Sequence, residues 1–187
     1  MRRLRCLTGV LLAAGVCLQA TPQRSSHDFE GHTFSLDLPP GYVFQADQSP
    51  RQGLKAFGFS TDPRQDGSRG MIQVSLIDFS GAPPGEKVTL ERFAEAMIKG
   101  VSLRRSRWEQ KDSDVKIAGV PGKRIEWTGS VEPGFGRPAV NMRGVMIVGV
   151  KNNVGFSLHA QDGAGFADTT LPLCEQALQT FALTLGR

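Results

Sequence analysis

Few residues of this 187-residue chain are of a type and spacing that could do chemistry. The three histidines, His27, His32 and His159, have Asp28, Glu30 and Asp162 as potential co-ligands for a metal. No pair of them has the close ligand spacing of a helix or a knuckle, so isolated surface histidines are expected. The chain has no Gly-x-Ser-x-Gly elbow, no Ser-x-x-Lys set and no Cys/His arrangement for a nucleophile. Its acid pairs, Asp112 with Asp114 and Glu86 with Glu91, fall in charged turn or helix contexts where solvation accounts for them. The stretch Gln161–Thr170 is rich in glycine and lies between a strand pattern and a helix pattern, where phosphate loops occur. It lacks the Gly-Lys-Ser/Thr ending and has Asp168 where a third glycine would stand, so it reads as a turn with Asp168, Thr169 or Thr170 capping a helix. No catalytic residue, metal or cofactor is expected. What remains is a basic cluster, Arg104, Arg105 and Arg107, followed by Trp108. It is the candidate contact for an acidic partner or anionic lipid; the alternative is a helix end with solvated arginines.

Position along the chain changes how the charges and cysteines are read. Arg2, Arg3 and Arg5 precede the apolar run Cys6–Leu18, and Gln19-Ala20 closes it before a polar segment. Residues 1–20 therefore read as a secretory signal peptide, too short for a permanent membrane anchor. In a second reading Cys17 becomes a lipidated N-terminus, although Val16 precedes it where a lipobox carries Gly, Ala or Ser. A membrane partner is expected only on that reading. The formal charge of +4 falls to about +1 without the three leader arginines, and all 18 acidic residues remain. The basic pI of about 9.2 thus carries no nucleic-acid signal. Cys6 and Cys17 also leave with the leader, so Cys174 has no cysteine of its own chain to bridge.

The remaining residues suit one domain. Residues 21–32 read as a flexible lead-in and 33–187 as a single globular unit. Alternation predicts strands at Thr33–Leu38 and Lys123–Val131, further strands are suggested at Leu54–Ser60, Met71–Phe79 and Val154–Ala160, and Met142–Val150 is nearly continuous in apolar residues, as expected of a central strand covered on both sides. A weaker, charged candidate starts at Trp108. The stretch Thr61–Gly70, dense in turn formers and charge, reads as an exposed, mobile loop. Leu90, Phe93, Ala94, Met97, Ile98 and Val101 make one helical stripe with Thr89 as N-cap. A closing helix is predicted from about Thr170 to Ala182, with Pro172 in its first turn and Leu171, Cys174, Leu178 and Phe181 buried.

The order of these parts resembles the PsbP-like and DcrB-like group of secreted or lumenal proteins. The resemblance rests on Phe34–Tyr42 with its Pro-Pro-Gly turn, the Leu90–Val101 helix, the Gly119-Val-Pro-Gly turn, the Met142–Ala160 hairpin and the Leu171–Phe181 helix. It implies an α+β sandwich, an antiparallel sheet of about six strands covered by two main helices. Related folds serve as accessory subunits, adaptors and envelope proteins, so the resemblance implies no single activity. The expectation is a secreted or cell-envelope, non-catalytic accessory module that binds another envelope protein or complex. Two alternatives are a carrier of a small apolar ligand, suggested by Phe57, Phe59, Phe79, Phe135 and Phe156, and a hydrolytic enzyme with a dispersed site.

Overall fold

Period-two alternation of apolar residues dominates the chain, and most strands follow it. The computed structural model describes residues 21–51, 53–65, 68–82, 88–132 and 138–186. Residues 1–20, with Cys17 among them, and Phe135 lie outside that set. In order come β1 (Gln23–Phe29), β2 (His32–Leu38), β3 (Val43–Arg51), β4 (Leu54–Ser60), β5 (Met71–Asp78), α1 (Leu90–Ser102), β6 (Ser106–Ile117), β7 (Val120–Val131), β8 (Val140–Lys151), β9 (Val154–Gly163), α2 (Ala164–Gln179) and β10 (Ala182–Thr184). Seven strands form one sheet in the order β3-β4-β5-β9-β8-β7-β6, and three form a second in the order β1-β2-β10. All pairings are antiparallel. The α+β class expected from the sequence is what the chain adopts, with ten strands instead of six among the described residues.

The large sheet is covered on both faces. On one face Phe57, Phe59, Val145, Ile147, Phe156 and Leu158 pack with Phe34 and Leu36 of β2 and with Leu171, Cys174 and Leu178 of α2. On the other, Ile125, Met146 and Val148 pack with Phe93 and Ala94 of α1. Successive β8 residues therefore enter opposite cores, which is why this strand reads as a nearly continuous apolar run. Its hairpin to β9 turns through Asn152 and Asn153 at φ of 46° and 66°, the left-handed pair of a tight primed turn. α1 begins where the sequence places it, with the Arg92 N–H donating to Thr89 Oγ1 at 3.3 Å.

Three expectations are corrected. The lead-in 21–32 is ordered: β1 pairs with β2 from Gln23↔Leu38 to Phe29↔His32. Its alternation is hard to see because Phe29 is its one buried apolar residue; it is otherwise held by the backbone ladder, by the His27 ring against Phe34 and by polar pairs such as Arg24 to Asp37 at 3.0 Å. The stretch predicted as a mobile loop is clamped at Arg64, which meets the buried Asp162. The closing helix starts at Ala164, and its N-cap is Gly163 instead of Asp168, Thr169 or Thr170. Pro172 therefore lies inside it and not in its first turn. Its early turns are fixed by the buried Ala167 and by Thr169 and Thr170 hydroxyls donating to Phe166 O at 2.9 and 3.0 Å.

Candidate functional site

The basic cluster lies where α1 hands the chain to the edge strand β6. The helix closes with Leu103 N–H on Lys99 O at 3.1 Å, and Arg105 N–H on Ser102 O at 3.0 Å. Arg107 then takes φ of 53°, and the β6–β7 register shifts between Ser106 and Glu109. Such a bulge re-aims the side chains beside it. Trp108 stacks on Trp127 of β7, with ring centroids 5.0 Å apart and planes 18° from parallel. Trp127 is the register partner of Gln110, two residues on from Trp108, so the two indoles are diagonal neighbours on one face of the sheet.

Arg105 bends back over the same indole. Its Cζ lies 4.4 Å from the Trp127 ring centroid, Nη1 donates to Val101 O at 2.7 Å, and Nη2 donates to Gln161 Oε1. Nε has no hydrogen-bond partner among the described residues. Burial, and secondarily the charge of Arg104, pull this guanidinium below the usual arginine range. Trp127 is 2% exposed and its Nε1–H donates to His159 Nε2 at 3.1 Å. Burial and the Arg105 charge push His159 down to about 3, so it accepts this bond as a neutral ring. Gly144 leaves room for the indole; a Cβ there would lie 2.5 Å from Trp127 Cε2.

The electrostatics of this corner are lopsided. Arg24, Arg64, Arg124 and Arg143 each hold a carboxylate. Arg104, Arg105 and Arg107 hold none among the described residues, and Arg104 and Arg107 point into solvent. A buried cation without a counter-ion is costly, and Arg105 is relieved only by the indole face and two neutral oxygens. Among the described residues the corner carries an excess of positive charge.

Other sites offer less. A groove of about 400 Å³ between α2 and β6–β8 is lined by Lys111, Arg124, Glu126, Arg143, Asp168 and Glu175. Its charges already satisfy one another: Arg124 bonds Glu175 and Glu126, and Arg143 bonds Asp168. The Arg124 hydrogen bond holds the Glu126 carboxyl below the usual range, which leaves it a poor proton donor near neutrality. Asp162, fully buried, accepts from Arg64 Nη1 and Nη2 at 2.7 Å each, from Thr170 Oγ1 at 2.8 Å and from the Gly163 N–H at 2.8 Å. The sequence carries no sign of this clamp, because Arg64 and Asp162 lie 98 residues apart. Cys174 faces the core as predicted, 1% exposed, 3.1 Å from the Tyr42 hydroxyl. Burial pushes its thiol up to about 11, which removes the thiolate that redox or nucleophilic chemistry needs.

The histidines are not isolated surface residues, contrary to expectation. His27 lies among Phe34, Phe44, Phe57 and Phe59, with centroids 4.8 to 5.6 Å away. His32 Nδ1 accepts from the Gly186 N–H at 3.0 Å. No group of histidine, cysteine or acidic residues among the described residues could hold a metal. None of their helices is long and apolar enough to cross a membrane.

No protein-family profile and no curated sequence matches the chain. Solved structures do. It is similar to the cyanobacterial PsbP protein CyanoP of Synechocystis sp. PCC 6803, at 18% identity over 92% of this chain and 98% of that one, with a TM-score of 0.57. The chain has a PsbP-like fold. LpqN of Mycobacterium tuberculosis, described as involved in cell envelope biogenesis, matches at 14% identity over 87% of this chain and 91% of its own, with a TM-score of 0.56. The Ran-binding protein Mog1p of Saccharomyces cerevisiae matches at 10% identity over 86% and 95%, with a TM-score of 0.52. At these identities the likeness establishes the architecture of the PsbP-like domain, and function has to come from its own residues.

Proposed function

We propose that this PsbP-like domain is a non-catalytic accessory module of the cell envelope, exported by the leader at residues 1–20, that docks an acidic segment of a partner protein at the Arg104–Trp108 corner. The observation that carries the reading is the charge imbalance there: three arginines without a carboxylate among the described residues, one of them half-buried against Trp127. Arginine and tryptophan are the side chains that concentrate binding energy at interfaces. The fold neighbours are compatible, since one is described as an envelope biogenesis protein and another as a binding protein. The carrier reading has less behind it. Phe57, Phe59 and Phe156 are at most 2% exposed and filled in by core neighbours, and Phe79 packs edge-on against Phe93.

Affinity capture from native envelope extract tests the proposal. Immobilised domain should retain a partner that is lost from an Arg104→Glu/Arg107→Glu double variant and released by about 1 M salt, where charges are screened within about 3 Å. Both arginines are exposed, so the variant should fold as the parent does. Equal retention by both proteins, insensitive to salt, would contradict the reading.

A further inference from the structure

α1 packs on β7 and β8, and toward the other edge of the sheet a trough of about 350 Å³ runs over β4. We propose that this trough binds the free C-terminal carboxylate end of an extended peptide, at a place distinct from the arginine corner. The floor is made by Ala56, Gly58 and Ser60, which alternate with the core residues Phe57 and Phe59 and so share the α1 face of the sheet. From Ala56 to Ser60 the strand spans about 14 Å, enough for about four extended residues.

The two ends and the middle of the trough differ in chemistry. At the Ser60 end, Met71, the first residue of β5, is the register partner, and Arg69 lies two residues before it. Arg69 is exposed and makes no ion pair among the described residues. Ser60 is 3% exposed, and its hydroxyl has no hydrogen-bond partner there. A cation and an orphaned donor at one end call for an anion with acceptor oxygens. Beside Gly58, its register partner Gln73 stands on one side and Ala46 on the other, with Gln45 next to Ala46 where the β3–β4 register shifts. The Gln73 amide nitrogen is used, donating to Ser75 Oγ at 2.9 Å, as is that of Gln45, donating to Val43 O at 3.5 Å. Their carbonyl oxygens are left to accept. An alkyl carboxylate would bury both without a donor, whereas a peptide brings backbone N–H groups at that height. The occupant that satisfies all four groups is a peptide chain that ends at Arg69 and Ser60.

The test uses a pool of acetylated tetrapeptides with randomised residues, prepared once with free carboxyl ends and once amidated, titrated into isotope-labelled protein and followed by backbone amide shifts. The free-acid pool should move Ala46, Ala56, Gly58, Ser60 and Met71, with the amidated pool at least about tenfold weaker, the worth of one charge-assisted contact. Arg69→Gln should abolish the preference for the free acid. Gly58→Val should block binding without unfolding the protein, because a Cβ at Gly58 lies 3.7 Å from its nearest neighbour, Ala46 O. Equal response to both pools, or no response of these amides to the acid pool, would overturn the proposal. Arg104→Glu/Arg107→Glu leaves this trough untouched, so the two sites stand or fall separately.

Discussion

Arg105 shows how a single residue can be held in place yet left unsatisfied. Its side chain makes two hydrogen bonds to neutral oxygens and lies over an indole, which fixes its position without neutralising its charge. His159 depends on the same charge. Its proton affinity is depressed from 6.5 to about 3, first by burial and then by Arg105. The neutral ring is the form the fold favours, so its stabilisation is complete above pH 6.5 and is lost progressively as the pH falls toward 3, because only the unfolded chain takes up the proton. Chemical denaturation across that range should show stability declining with acid, and His159→Gln should flatten the decline. An identical slope in the variant would mean that other groups carry it. The sequence places His159 off the Phe156 and Leu158 face, as the register bears out. It does not reveal the partner indole, because Trp127 and His159 are not adjacent in the chain and meet across β8.

Elements that announce themselves by period were readable: α1 by its stripe, β7 by Ile125 and Trp127, and the β8–β9 hairpin by its paired asparagines. Elements fixed by distant polar partners were not. β1 has one buried apolar residue, and the stretch around Arg64 is held by a carboxylate in β9. Asp162 is inaccessible to water, while Arg64 supplies both of its bidentate hydrogen bonds. Removing the cation leaves a buried charge without its partner, at a cost of about 3–5 kcal/mol. Arg64→Ala should therefore lower the denaturation midpoint strongly and open this segment to limited proteolysis in the native state. If the unfolding free energy falls by less than about 1 kcal/mol, the pair behaves as a surface bridge and the clamp is dispensable. The start of α2 belongs to the same account, since Thr170 donates to that carboxylate as well.

At the scale of the molecule, both helices and the small sheet cover one extended antiparallel sheet, with a hydrophobic core packed on each of its faces. The unmatched groups gather on the α1 face, the arginines at the α1–β6 junction and Ser60 with Arg69 over β4. The opposite face carries charges that are already paired across the α2 groove. The basic cluster was visible in the sequence as Arg104, Arg105, Arg107 and Trp108. Its distinguishing property, the lack of counter-ions, belongs to the folded state and needed the third dimension. Partner docking at this corner is tested most directly by a photo-crosslinking side chain at Leu103, which is 75% exposed, compared with one at Asn152, an exposed position in the β8–β9 turn at the other end of the sheet. In the native envelope, Leu103 should yield a discrete adduct on an acidic segment of one protein, absent in the Arg104→Glu/Arg107→Glu background, and Asn152 should yield none. An adduct at Leu103 that persists unchanged after charge reversal, or one formed only at Asn152, would contradict the account.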